Sequence, residues 1–507
     1  MSEAASAPLR VLLAASEVVG FAKTGGLADV AGTLPRALAR QGVEVAVIMP
    51  LYRGARHGKS SITSTDIPLD TTIGGKTVSG RLCQSTLPDS DVPIYLVEQN
   101  GYFDRDDPTA KRGLYQFTGS DGRRRDYDDN GERFLFFNKA VLAALPHLPF
   151  WPDILHVNDW QTGLLPVLLR ETAPRDAARA RIRTLLTLHN LAYQGVFHKD
   201  LIDLAGLSWR LFTWQGLEFF DHVNFLKAGI VYSDWLNTVS PSYAREIQTH
   251  YFGCGLEGAL TQRRFQLTGI VNGVDYGEWN PATDRHIVAH YGEETVAEGK
   301  SACKADLQKR LGLADARRTP LLGMIARLVE QKGIELLTRC ADSLLMQDLQ
   351  LVVLGEGDAE YHRQLRDLER RHPQRMRAVI GFDETLAHRI EAGVDIFLMP
   401  SRYEPSGLNQ LYSLKYGTVP VVRATGGLAD TVVDATEQTM VDGSATGFRF
   451  AAISATALRE TVERALFVYR HRPDVWLRLQ RQGMSRDWSW DRSAAEYARL
   501  YQQLKKQ

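Results

Sequence analysis

The chain has 507 residues, with 60 Lys and Arg set against 60 Asp and Glu, so its formal charge is zero and charged residues make up 24%. That balance lacks the basic excess a phosphate backbone demands, so no nucleic-acid partner is expected. Usage of 42 Gly and 20 Pro is ordinary, which rules out collagen-like and low-complexity chains, and the length predicts two or three domains with ample core.

The N-terminal MSEAASAPLR carries no charged-then-apolar signal pattern, and no stretch nears the roughly 18 consecutive apolar residues of a membrane span. Cys83, Cys254, Cys303 and Cys340 stand far apart, with no CxxC pair and no histidine at zinc-finger spacing. A cytoplasmic, reducing location follows as the expectation, with no membrane partner.

Short runs of Val, Ile and Leu alternate with longer segments of helical period, the pattern of buried parallel strands and covering helices. In chain order, strands are predicted at Arg10–Ser16, Val43–Met49, Ile94–Val97, Ile154–Val157, Thr184–Leu188 and Leu236–Val239, then at Leu267–Val271, Leu321–Ile325, Leu349–Leu354, Met376–Ile380, Asp395–Met399 and Val419–Val422. These make two α/β units, each large enough to be doubly wound. Polar stretches at Ser60–Gly80 and Lys111–Gly131 read as inserted loops or hairpins, the second with a dense charge run to which no chemistry is assigned. Periodicity fades after Ser240-Pro241-Ser242, where the break between units is expected. Ala494, Tyr497, Tyr501 and Leu504 mark one face of a final helix.

A hexapeptide repeats between the halves: Thr24-Gly25-Gly26-Leu27-Ala28-Asp29 recurs letter for letter as Thr425-Gly426-Gly427-Leu428-Ala429-Asp430. Both copies stand between a strand and a helical segment, where a glycine pair lets a ligand approach the backbone and a helix N-terminus attracts an anion. Lys23 adds a mobile cation to the first. A tight turn alone would need the glycines but not the Leu-Ala-Asp that follows. Neither copy is G-x-G-x-x-G or a Walker loop, which argues against a nicotinamide-dependent oxidoreductase.

Other polar residues gather at predicted strand ends, the edge at which α/β sheets build sites. Asn158-Asp159-Trp160 ends one strand and His189-Asn190 ends the next. Arg327 and Lys332 flank a polar stretch beyond Leu321–Ile325, where two cations suit a diphosphate or form a solvated loop. Glu404-Pro405-Ser406-Gly407-Leu408 follows Asp395–Met399, where a carboxylate can accept sugar hydroxyls or only face a helix dipole. No His, Cys and Asp cluster has metal spacing, and the D-x-D pairs at Asp104 and Asp126 read as chance.

Taken together, the segments Ser16–Val30, His156–Pro166, Thr187–Phe197, Val271–Asp275, Ala326–Gly333, Pro400–Val433 and Asp487–Tyr497 resemble those of bacterial glycogen synthases and plant starch synthases. The resemblance implies the GT-B architecture of that family, with two Rossmann-like doubly wound domains facing a central cleft and the C-terminal helix packing back on the N-terminal domain. The domains would span 1–265 on the acceptor side, 266–486 for the nucleotide sugar, and 487–507 for the returning helix. The implied activity is transfer of glucose from ADP-glucose to the non-reducing 4-hydroxyl of an α-1,4-glucan such as glycogen, with retention of configuration and no cofactor or metal.

Carried over residue by residue, the resemblance gives Lys23, Gly25 and Gly26 contacts to donor diphosphate and sugar, and His189 a contact to the glucose 6-hydroxyl. Arg327 and Lys332 would neutralise the leaving diphosphate, Glu404 would bind glucose hydroxyls, and Ser406, Gly407 and Leu408 would complete the cradle. Phe382 matches a position that stacks on the nucleobase, and Asp29, Asp159 and Asn190 would be sugar or acceptor contacts. Two departures stand out: Ser406 replaces a Cys common in bacterial members, and Tyr412 stands where related transferases place a ribose-binding carboxylate. UDP-glucose as donor, a short maltooligosaccharide as acceptor, and a non-catalytic glucan-binding protein are the competing readings; oligomeric state is left open.

Overall fold

The computed structural model describes residues 8–506 apart from 59, 173 and 175, so the first seven residues of the N-terminal stretch read above lie outside it. Contacts divide the chain into two units: 1–239 with 244–273 and 490–507, and 240–243 with 274–489.

The first unit is built on a nine-stranded sheet. Across it run Leu267–Gly269, Trp235–Thr238, Arg183–Leu188, Ile154–Asn158, Arg10–Ala14, Glu44–Pro50 and Pro93–Glu98, all parallel, and then the long antiparallel strands Lys76–Thr86 and Thr63–Ile73. The register pairs Val11 with Val45 on one side and Ile154 on the other, so the chain winds outward from Arg10–Ala14 in both directions. The insert read from 60 as loops or hairpins is this antiparallel edge. Its alternating buried and exposed residues were hidden by Thr, Asp and Gly on the solvent face.

The second unit carries a six-stranded, all-parallel sheet in the order Met376–Ile380, Gln350–Gly355, Leu321–Ile325, Ile396–Met399, Val419–Arg423, Phe448–Phe450. Helices such as Ile334–Leu345 and Ala455–His471 bury Leu337, Leu344, Val462 and Leu466 against it.

The boundaries differ from the expected 265/266 and 486/487. Leu267–Gly269 pairs with Trp235–Thr238 and so closes the first sheet instead of opening the second. Val274 donates to the Trp488 carbonyl at 2.7 Å, which keeps 487–489 in the second unit. The final helix, Trp490–Lys505, lies in the first unit and buries the predicted face of Ala494, Tyr497, Tyr501 and Leu504. Its two tyrosine hydroxyls meet the sheet's buried polar groups: Asn237 donates to Tyr497 at 2.9 Å, and His156 Nδ1 lies 2.8 Å from the Tyr501 hydroxyl. Stripping the Tyr501 hydroxyl would leave the buried His156 Nδ1 unmet, which costs about 1–3 kcal/mol, whereas Asn237 would keep its bond to Thr187 Oγ1 at 3.3 Å.

Candidate active site

Each unit has a topological switch point, where successive connections leave in opposite directions and open a crevice at the carboxyl ends of the strands. In the first unit it falls between Arg10–Ala14 and Ile154–Asn158; in the second, between Leu321–Ile325 and Ile396–Met399. Most of the sequence-predicted residues lie beyond strand ends at or next to these points, His189 and Asn190 after the neighbouring strand Arg183–Leu188 and Phe382 after the edge strand Met376–Ile380.

In the first unit, Lys23 through Gly26 are exposed and lead into the helix Gly26–Arg40. A Cβ added to Gly25 or Gly26 would meet nothing within 4 Å, and Gly25 has an extended φ of −155°. Neither packing nor backbone conformation therefore requires glycine there, and both face open space. Lys23 Nζ is 2.6 Å from Asp29 Oδ1 in the first helical turn. The Gly25 amide is occupied, donating to Glu17 Oε2 at 3.2 Å, so the amides left open at the helix start are those of Gly26 and Leu27 among the described residues.

Asp159 turns the chain out of its strand with φ at +53°, a conformation costly for a non-glycine residue. Its Oδ1 accepts from the His189 amide at 2.7 Å, tying the ends of two neighbouring strands together. Burial pushes its carboxyl up to about 7 against the lowering effect of the His189 and Asn190 amides. Expected as a substrate contact, Asp159 thus has one oxygen engaged in holding the His189 loop. Burial keeps His189 neutral, with its pKa lowered to about 3. Its Nε2 is 2.9 Å from Asn158 Oδ1, and because Asn158 Nδ2 donates to the Ala14 carbonyl, that oxygen is an acceptor. The tautomer inferred from this network carries its proton on Nε2 and presents Nδ1 as an acceptor, suited to a sugar hydroxyl. Asn190 Oδ1 accepts from the Ala192 amide in a local turn.

In the second unit, Arg327 is exposed, and its guanidinium has no ion pair among the described residues. Its loop is fixed from below: Leu328 donates to the Glu356 carbonyl at 2.8 Å, and a Cβ on Gly357 would lie 2.3 Å from the Leu328 carbonyl oxygen. Of the two readings its sequence setting left open, a diphosphate cation or a solvated loop, the structure does not leave Lys332 solvated. Its Nζ sits 2.6 Å from Glu404 Oε2, and the two side chains are 19% and 7% exposed. Ser401 Oγ donates to the same carboxylate oxygen at 3.0 Å.

The second copy of the repeated hexapeptide also opens a helix, Gly426–Thr431, but in different surroundings. Thr425 through Leu428 are buried, Gly426 has φ at +45°, and Cβ atoms on Gly426 and Gly427 would lie 2.0 Å from the carbonyl oxygens of Glu404 and Ser406. The Gly427 amide donates to the Glu404 and Pro405 carbonyls at 3.1 Å. This copy is a platform for the 404–407 loop, and the anion site expected there is taken by protein carbonyls. Arg423, just before it, is buried and donates from Nε to the Ser401 carbonyl at 2.7 Å. Above the platform Gly407 takes φ of +68°, the Ser406 and Gly407 carbonyls accept from Gln410 Nε2 at 3.0 Å, and Leu408 leads into the helix Asn409–Lys415.

Phe382 follows the strand Met376–Ile380 and is 85% exposed. Tyr412 stacks on Trp279 at 4.0 Å, and the other face of Trp279 stacks on His388 at 3.8 Å, so the position of the missing carboxylate belongs to a ring stack. The D-x-D at Asp104 has a local use: Asp104 pairs with Arg53 at 2.7 Å and Asp106 accepts from the Arg53 and Gly54 amides. Among the described residues no group of three or more His, Cys, Asp and Glu side chains could hold a metal ion. Sequence reasoning missed Glu17 and Tyr115; the signal for Glu17 was an acid placed directly after an apolar strand.

The family model for the starch synthase catalytic domain matches residues 10–262, and that for group 1 glycosyl transferases matches 310–471. The glycogen synthase of Anaeromyxobacter dehalogenans is 48% identical over 98% of this chain and 100% of its own. That of Syntrophotalea carbinolica is 47% identical over 97% of this chain and 98% of its own. The catalytic domain of starch synthase IV from Arabidopsis thaliana, solved bound to ADP and acarbose, superposes with a TM-score of 0.88 at 32% identity, covering 99% of this chain and 100% of that one.

Proposed function

The chain belongs to the glycogen synthase family of GT-B glucosyltransferases, and we propose that it transfers glucose from ADP-glucose to the non-reducing 4-hydroxyl of an α-1,4-glucan, releasing ADP. The choice of ADP-glucose over UDP-glucose rests on the ADP held by the starch synthase neighbour. The observation that carries the reaction is the loop of Arg327 and Lys332 beside the buried Glu404: two cations for a diphosphate next to a carboxylate for sugar hydroxyls.

In this reading the anomeric C–O bond breaks with its electron pair going to the diphosphate, whose charge Arg327 and Lys332 take up. The acceptor oxygen attacks from the same face and gives its proton to a leaving phosphate oxygen, so configuration is retained. Glu404 is oriented by Lys332 and Ser401 to hold glucose hydroxyls. Neutral His189 accepts a hydroxyl hydrogen at Nδ1, and Asp159 fixes the backbone from which it projects. Lys23 and the open amides of Gly26 and Leu27 draw the donor's anion, Gly25 supplies room, and Asp29, Asn190 and the Ser406–Leu408 turn add contacts to the substrates. Phe382 offers its face to the base. No resident cofactor is needed by this scheme, and a cytoplasmic location is proposed with it, consistent with four free thiols.

Arg327→Ala is the cleanest test, because the side chain is exposed and unpaired. Its kcat should fall by roughly 10²–10³ with no change in melting temperature. Lys332→Ala should lose turnover and stability together, since it strands a buried carboxylate. Normal kcat in Arg327→Ala would return that residue to the role of a solvated loop cation.

A further inference from the structure

Beneath the exposed Lys23 loop lies a buried carboxylate that the scheme above does not use. Glu17 is 4% exposed and gathers donors on both oxygens. Oε2 accepts from the Thr24 amide at 2.5 Å and the Gly25 amide at 3.2 Å. Oε1 accepts from Thr24 Oγ1 at 2.6 Å and lies 2.7 Å from the Tyr115 hydroxyl, which is also 2.8 Å from Ser16 Oγ. Tyr115 is itself anchored: Asn130 Nδ2 donates to its carbonyl at 2.9 Å, and the buried Arg133 donates to the Leu114 carbonyl at 3.1 Å.

The start of the loop is tied by the Val18–Ala22 bridge and Lys23 pairs with Asp29, but Thr24 and Gly25 are held by the Glu17 carboxylate. Thr24, Gly25 and Gly26 are exposed, and a Cβ on either glycine would meet nothing within 4 Å, so ordering them costs conformational entropy that side-chain packing does not offset. Hydrogen bonds to an ionised acceptor are roughly twice as strong as neutral ones. A carboxylate also decides which amides remain: it takes those of Thr24 and Gly25 and leaves those of Gly26 and Leu27 at the positive end of a helix of 15 residues.

We propose that Glu17 is a positioning residue for the donor, its carboxylate clamping Thr24 and Gly25 so that Lys23 and the open amides of Gly26 and Leu27 stand ready for the diphosphate. The inference rests on the glucosyltransferase reading for the identity of that ligand. Glu17 touches no substrate; it acts through the loop. Its removal therefore weakens the donor and not the glucan.

The test is the dissociation constant for ADP-glucose, measured by calorimetry without glucan, alongside the KM for glycogen and the melting temperature. In Glu17→Gln the donor constant should rise about tenfold, the scale of losing one charge-assisted hydrogen bond, with glycogen KM unchanged. Thr24→Val, which removes one hydroxyl donor from an exposed loop, should shift it a few-fold in the same direction. An unchanged donor constant in both variants overturns the proposal. So does a parallel loss for donor and glycogen accompanied by a fall in melting temperature, which is the mark of a merely structural acid. Should Glu17→Gln not fold, Thr24→Val decides alone. Wild-type chain that binds ADP-glucose but transfers no glucose defeats the reaction scheme, while the comparison of binding constants still decides the part played by Glu17.

Discussion

His189 and Asp159 lie at adjacent strand ends of the first sheet, with His156 buried mid-strand below them, and the histidines and the carboxyl respond to acid in opposite senses. Burial lowers both histidines from 6.5 to about 3 and raises Asp159 from 3.8 to about 7. Below pH 6.5 the unfolded chain binds a proton at each histidine that the folded chain refuses, so their contribution to stability is complete above that pH and is lost as pH falls toward 3. Asp159 runs the other way: its contribution is full below about 4 and is lost as pH rises through 7. Between pH 4 and 6.5 two histidines oppose one carboxyl, and this cluster's net contribution to stability rises with pH. Asp159→Asn keeps an acceptor for the His189 amide and deletes the opposing titration, so the urea midpoint should climb more steeply with pH than in the wild type. Identical slopes would show that Asp159 does not titrate near neutrality. None of this was legible in the sequence, which placed His189 and Asp159 at adjacent strand ends but held no sign that one would grip the other's backbone.

The repeated hexapeptide is the clearest case of one local sequence put to two uses by its surroundings. The exposed first copy leaves room at Gly25 and Gly26, while the buried second copy needs its glycines because the Glu404 and Ser406 carbonyls press against them. Gly25→Ala should therefore leave the melting temperature unchanged and raise the KM for ADP-glucose about tenfold by filling ligand space. Gly427→Ala must displace the 404–407 loop, costing about 1–3 kcal/mol as overpacking does and lowering kcat. Thermal melts of the two variants separate these outcomes, and equal destabilisation would contradict the division of roles. Parallel strands were readable because their apolar runs are continuous. The edge strands Thr63–Ile73 and Lys76–Thr86 were harder, since a half-solvated hairpin alternates polar and apolar residues and resembles a loop in composition.

At the scale of the whole chain, the residues showed two α/β units and a final helix, and the resemblance supplied that helix's return and the reaction. What the sequence could not place was the exact division, because a three-residue strand such as Leu267–Gly269 has no signature of the sheet it will join. Nor could it pair Lys332 with Glu404 across 72 positions. In the reaction proposed for this chain, transfer from ADP-glucose depends on glucan, and side chains and helix-start amides manage the leaving diphosphate. Incubation of the purified chain with ADP-glucose, with and without glycogen and with and without EDTA, tests it most directly, reading released ADP and the linkage of newly added glucose. ADP should be released only when glycogen is present, unaffected by EDTA, with glucose joined through α-1,4 bonds; release without glycogen, abolition by EDTA, or no transfer from ADP-glucose would rule this reaction out.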